Sequence, residues 1–120
     1  MIALRGHFVD VGELDRMHEL FTEDCVYDLT DIGFGAMEGR AALKRAALDL
    51  GDRNPLAHHV TNTVVTGGDG DRAQAVSKAI AVMPDGTCGS GTYEDTLLRD
   101  DGRWLIRHRR IRLRRKPLTP

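Results

Sequence analysis

The sequence predicts an α+β protein, with helices gathered at the N-terminal end and an antiparallel meander after them. Three observations carry this. The first is a hairpin: Gly91 to Arg99 runs into Asp100-Asp101-Gly102, and Arg103 to Ile111 runs back. Asp-Asp-Gly is strong turn chemistry, because glycine supplies a positive φ and the acidic side chains bond locally. The second is a helical period in two early segments. The third is a set of turn signals, Gly67-Gly68-Asp69-Gly70-Asp71 and Pro84-Asp85-Gly86, that divide the later chain into strand-like runs. Helices first and strands later argue against a parallel α/β sheet.

In order, Val11, Leu14, Met17 and Phe21, with Leu20 beside them, fall at three- and four-residue spacing, while Glu13, Arg16 and Glu19 face outward. Gly12 is expected to separate a short first helix from a second beginning near Glu13. Cys25 to Thr30 reads as a short strand, and Asp31-Ile32-Gly33-Phe34-Gly35 as a loop. Glu38 to Leu50 reads as an amphipathic helix around Leu43, Ala46, Ala47 and Leu50, closed by Gly51. Asp52-Arg53-Asn54-Pro55 breaks the chain. Four strands are then expected, over 57–66, 73–83, 87–99 and 103–113.

At 120 residues the chain is expected to be a single domain, 1–120, large enough for a real core. Aromatic residues are only 5% of it, so Val, Leu, Ile and Ala must fill most of the interior. No apolar run approaches bilayer length and the first residues do not read as a signal peptide, so a cytoplasmic protein without membrane contact is expected. Cys25 and Cys88 form no metal-type spacing and are expected to be reduced and mostly buried. The net charge of −1 hides an asymmetry. Acids dominate from Asp10 to Asp31, whereas Arg103, Arg107, Arg109, Arg110, Arg112, Arg114, Arg115 and Lys116 crowd the last stretch. These alternate with Trp104, Ile106, Ile111 and Leu113 and carry no aromatic platform. A solvated or subunit-facing strand surface is expected, not a nucleic-acid site.

Four segments in order resemble one family: Val9 to Asp15 leading to Leu20-Phe21-Thr22-Glu23-Asp24; Glu38-Gly39-Arg40-Ala41-Ala42-Leu43; His58-His59-Val60-Thr61-Asn62; and Tyr93-Glu94-Asp95 through Arg109. Together they resemble the SnoaL-like domain of the nuclear transport factor 2-like superfamily, over nearly the whole chain. The resemblance implies a cone: a curved, mixed but largely antiparallel sheet wrapped around N-terminal helices, with an internal pocket. It also implies a homodimer through the outer sheet face. Relatives usually carry a longer first helix, so either the pocket is more open at that end or this sequence begins late within that helix. Members include polyketide cyclases, steroid isomerases, scytalone dehydratase, oxygenase small subunits and non-catalytic domains, so function has to be argued from the site.

The resemblance places Asp10 where scytalone dehydratase-like members have an aspartate that orients a catalytic histidine, and His59 where that histidine sits. A carboxylate that fixes one imidazole tautomer makes a general acid/base, suited to enolisation, dehydration or ring closure. The residues alone allow another reading, in which Asp10 caps the next helix and His59 is a semi-buried strand residue. His58 alternates to the opposite face, and a register slip of one residue would exchange the two. Tyr27 and Asp28 fall where relatives keep a pocket tyrosine or carboxylate, and alternation allows only one of them inward. Tyr93 falls at a substrate-contacting position. Asp95 shares its strand face and is placed to pair with Arg107 or Arg109.

Departures limit the inheritance. The strand over 73–83 lacks the second histidine of scytalone dehydratase-like enzymes. Arg5 stands where steroid-isomerase-like members have a tyrosine, and Asp28 is one position from their base. No metal-ligand spacing and no phosphate loop are present. The expected function is a binder of an apolar cyclic or polyketide-like small molecule. If catalytic, it is a cofactor-independent isomerase, cyclase or dehydratase using His59 and Asp10, with Tyr27, Asp28 and Tyr93 as pocket residues. The alternatives are a non-catalytic ligand-binding or dimerisation module and an accessory oxygenase subunit.

Overall fold

A computed structural model of the chain describes residues 1–113. Its first helix, α1 (Leu4–Asp10), ends where Gly12 adopts φ +80. A single 3-10 stretch, Leu14–Glu19, follows in place of the expected second α-helix, with Arg16 held between Glu13 and Glu19. The helical period therefore stops at Gly12, and Val11, expected on the apolar face, is 69% exposed. Strand β1 (Phe21–Asp28) comes next, then a 3-10 turn at Thr30–Ile32 and the short β2 (Ala36–Glu38). Helix α2 (Arg40–Leu50) leads to a 3-10 turn at Gly51–Arg53. The long strands β3 (Ala57–Asp69), β4 (Arg72–Val82), β5 (Cys88–Asp100) and β6 (Arg103–Arg112) complete the meander.

The six strands form one sheet in the order β2-β1-β6-β5-β4-β3. All neighbours are antiparallel except β1 and β6, which run parallel with Phe21 beside Ile106 and Tyr27 beside Arg109. This pairing is why β1 begins at Phe21 rather than at the expected Cys25. Ile106 donates its backbone N–H to the Leu20 carbonyl at 2.7 Å, which draws the Leu20-Phe21 segment onto the sheet. β2 is a missed edge strand, three residues long and too short to show a pattern.

The sheet is one layer; α1 lies on β3 and α2 on β1 as the other. Phe8, Met17, Leu20, Phe21, Leu43 and Ile106 form the core between them. Full burial of a side chain of this size contributes about 1.5–3 kcal/mol, so these few residues account for much of the fold's stability. Alternation on β4 and β5 is regular: Ala75, Ser77, Ala79, Tyr93, Asp95 and Leu97 point inward. On β6 it is broken. Leu97 pairs with Ile106 and Thr96 with His108, so Arg107 is an extra residue. This bulge resets the parity of the strand. Arg109 consequently turns into the core, whereas simple alternation from the buried Ile106 would place Arg107 and Arg109 on the outer surface. Arg110 and Arg112 do lie exposed. Arg114, Arg115 and Lys116 lie outside the described residues. Of the two thiols, Cys25 is buried and Cys88, expected to be mostly buried, is exposed at the start of β5. Among the described residues no helix is long and apolar enough to cross a membrane.

Candidate functional site

A cavity of about 600 Å³ opens between α1, α2, the segment joining β1 to β2, and the inner face of the sheet. Its existence follows from side-chain size. The sheet offers Ala79, Ala81, Gly89 and Gly91 to it, and these leave unfilled the space that larger residues would occupy. Leu43, Ala46, Ala47 and Leu50 of α2 face the same space at helical spacing. Asn54 holds the end of α2 by donating to the carbonyls of Ala47 and Gly51, at 2.8 and 2.9 Å.

On one wall of this cavity His58 meets Asp10. The His58 Nδ1 lies 2.7 Å from Asp10 Oδ1, and the His58 backbone N–H donates to Asp10 Oδ2 at 2.9 Å. Both carboxylate oxygens are therefore used on one residue, and the Asp10 side chain caps no helix. Close approach makes this possible. A Cβ built on Gly6 would stand 2.9 Å from His58 Cβ, so only glycine lets α1 settle this near β3. Gly6 and Asp10, four residues apart, share the helix face turned to β3.

The structure thus pairs Asp10 with His58, not with His59. β3 registers His58 against Ala81 of the inner face and His59 against the exposed Ile80 of the outer face. The exchange is the one-residue parity difference noted from the sequence, and nothing in the adjacent histidines themselves distinguishes the two registers. His59 is exposed and lines no part of the cavity. Burial pushes the His58 imidazole below its ordinary value. The hydrogen bond to Asp10 opposes this, and the Arg5 and Arg109 guanidiniums push it down further, so the uncharged ring is favoured. With Nδ1–H held by a carboxylate, Nε2 keeps its lone pair and can accept a proton.

Tyr27 and Tyr93 both line the cavity and are 2% and 5% exposed. Asp28, the residue expected to compete with Tyr27 for the inward position, faces away. It accepts a hydrogen bond from the Thr30 backbone N–H at 2.9 Å, and contact with Thr30 holds its carboxyl below the usual carboxylate range. It is a turn-forming residue and does not reach the pocket. Burial beside the Tyr27 ring and hydroxyl pushes the Tyr93 phenol up to about 12, so it remains a hydrogen-bond donor.

Next to the tyrosines lies a fully buried ion pair. Arg109 Nε and Nη2 donate to the two Asp95 oxygens at 2.8 and 2.9 Å, with both side chains 0% exposed. Burial alone would lower the guanidinium's proton affinity, but the hydrogen bonds and charge of Asp95 outweigh it and Arg109 stays charged. Its guanidinium stacks 4.2 Å from the Tyr93 ring centre. Opposite, Arg5 of α1 lines the cavity and lies 4.7 Å from the Tyr27 ring centre. The sequence marked Arg5 only as a departure from a tyrosine. Its i,i+4 relation to the cavity-lining Val9 was the available signal for its direction. Among the described residues no group of three His, Cys, Asp or Glu side chains could hold a metal ion.

Comparison with known proteins agrees with this architecture. A family model for the SnoaL-like domain matches residues 1–110. A crystal structure from Novosphingobium aromaticivorans, provisionally named an aromatic ring hydroxylase, is 29% identical with a TM-score of 0.79, over 100% of this chain and 85% of that one. An NTF2-like protein with a cystatin-like fold, from the same organism, is 28% identical with a TM-score of 0.76, over 93% and 76%. A third protein of that organism, provisionally named a scytalone dehydratase, is 24% identical with a TM-score of 0.73, over 89% and 74%, a likeness that bears on the fold alone. None of the curated proteins matches the chain. With its mixed sheet, its helices over one face and its small-molecule-sized cavity, the chain belongs to the SnoaL-like family.

Proposed function

We propose that this protein binds an apolar cyclic small molecule in its cavity and moves a proton on it without a cofactor, His58 acting as the general base and Asp10 orienting it. The observation that carries this is the doubly bonded Asp10–His58 pair on the wall of a largely apolar cavity. Asp10 fixes the proton on Nδ1, leaving Nε2 as the accepting atom. Tyr93, whose phenol stays protonated, and Tyr27 beside it are placed to donate to a substrate oxygen. Such an arrangement suits abstraction of a proton next to a carbonyl, the shared first step of enolisation, isomerisation and ring closure. The likeness to a protein provisionally named an aromatic ring hydroxylase supports a ring-bearing ligand.

The test is hydrogen–deuterium exchange at the α-carbon of 1-tetralone in deuterated buffer. The wild type is expected to accelerate exchange over buffer and His58→Gln to abolish the gain, with His59→Gln leaving it intact. Equal rates for the wild type and His58→Gln overturn the catalytic reading and leave a ligand-binding module. The same proposal includes a homodimer through the outer sheet face, where Val64 and Ile80 are exposed beside His59. Light scattering that reads a monomer at working concentration refutes that part.

A further inference from the structure

Packing on Tyr27 holds Arg5 at the cavity but leaves its Nε–H without an acceptor among the described residues. An arginine on a short N-terminal helix ordinarily extends into water, where its charge is solvated. This one folds over the Tyr27 ring and lines the cavity. Its Nε is buried and, among the described residues, has no hydrogen-bond partner. Among the described residues no carboxylate forms an ion pair with it either: Asp10 is committed to His58, and Asp95 to Arg109. A second orphan lies nearby. Arg109 uses Nε and Nη2 on Asp95, but its Nη1 is buried without a partner. That guanidinium is 6.0 Å from the same Tyr27 ring centre that Arg5 covers at 4.7 Å. Of the two guanidiniums near Tyr27, Arg5 lines the cavity, whereas Arg109 is fully buried and neutralised by Asp95. Each has a buried N–H left over. A buried donor without an acceptor costs free energy, and an uncompensated cation costs more, unless something binds there.

We infer that Arg5, held against Tyr27, forms a seat for one anionic oxygen, and that the ligand is an apolar ring system bearing such an oxygen. This rests on the cavity being the ligand site, as proposed above, and adds the polar half of the ligand. The cavity's other surfaces are mostly apolar, so an uncharged hydrocarbon would leave the Arg5 guanidinium unmet. A charged group larger than a carboxylate would find few further polar partners. Arg5 can serve in two ways. It can hold a carboxylate that the ligand already carries, or it can hold the enolate oxygen that develops when His58 takes the α-proton, the electron pair of the broken C–H bond moving onto that oxygen. Both place negative charge at the same point, and both use a donor fixed in advance by its packing on Tyr27.

The experiment compares binding of 2-naphthoate and its neutral counterpart 2-naphthamide by isothermal titration, alongside 1-tetralone exchange, in wild type, Arg5→Met and Arg5→Lys. If the seat holds a resident carboxylate, wild type binds naphthoate about tenfold or more tighter than naphthamide, the scale of a charge-assisted hydrogen bond. Arg5→Met then loses that preference with naphthamide affinity unchanged, and Arg5→Lys keeps part of it. If the seat serves the enolate, Arg5→Met lowers tetralone exchange at least tenfold with little change in tetralone binding. Naphthoate and naphthamide binding equally in the wild type, with exchange unaffected by Arg5→Met, overturns the inference while cavity binding stands. Binding of neither naphthalene, with no exchange above buffer, removes the cavity reading and this inference together. The His58→Gln control is read separately, so failure of the base and failure of the anion seat are distinguishable.

Discussion

Replacing Asp95 by Asn is the sharpest stability test this structure offers. Asp95 and Arg109 are each 0% exposed and joined by two hydrogen bonds at 2.8 and 2.9 Å. The substitution keeps size and shape but removes the carboxylate paired with the buried Arg109 guanidinium. Breaking such a pair from one side costs about 3–5 kcal/mol, because the surviving charge is left uncompensated. The usual stability of a domain is about 5–15 kcal/mol, so this is a large fraction of the whole. An unfolding entropy of about 2.1 cal/mol/K per residue makes each kcal/mol worth about 4 °C in a chain of this length. A fall in Tm of about 12–20 °C is therefore expected by calorimetry, with a matching drop in the urea midpoint. The partner variant Asp95→Leu with Arg109→Met removes both charges and is expected to recover most of the loss, since two apolar side chains need no compensation. A cost below about 1 kcal/mol for Asp95→Asn, the value of a solvated surface pair, would refute the argument.

Further outcomes follow from the site. Gly6→Ala puts a methyl group 2.9 Å from His58 Cβ; it is expected to cost about 1–3 kcal/mol in urea denaturation and to shift the His58 ring resonances as α1 lifts. Asp10→Asn removes the contact that raises the His58 proton affinity while burial remains, so an NMR titration is expected to show His58 titrating lower than in wild type. His58 is depressed in the folded state, so its contribution to stability is complete above the unfolded imidazole value of about 6.5 and is lost as pH falls through the folded value. Stability measured at decreasing pH is thus expected to fall more steeply for wild type than for His58→Gln, and parallel curves would contradict the burial. Ala81→Leu fills the cavity beside His58, and it is expected to weaken 2-naphthoate binding at least tenfold with Tm held or raised; unchanged affinity would place the ligand elsewhere.

Much of the fold was legible in the sequence because its signals are local. Asp100-Asp101-Gly102, with φ +51 at Asp101 and +75 at Gly102, makes the turn that its chemistry announces. The α2 face around Leu43 and the termination at Gly51 are likewise properties of neighbouring residues. What escaped depends on partners distant in the chain. The start of β1 at Phe21 is set by Ile106, and the inward turn of Arg109 by a bulge at Arg107, whose sequence trace is the parity switch from Trp104 and Ile106 to Ile111. The site shows the same division. Tyr27 and Tyr93 line the cavity, and Asp10 bonds the cavity-lining His58. The choice between His58 and His59 hangs on which face of β3 meets α1, a fact held by Gly6 and not by either histidine.

The parallel pairing of β1 with β6 has a consequence for how the molecule comes into being. During synthesis, β1 emerges from the ribosome long before the strand that will lie beside it, and until β6 follows only the three-residue β2 can pair with it. Tyr27 cannot meet Arg109, nor the core close over Phe21, before nearly all the described chain has been made. Loop closure over so long a span is entropically slow, and it leaves the apolar side of β1 open in the nascent chain. The cavity is therefore assembled last and all at once, and a nascent chain stalled before β6 would carry a binding face with no floor.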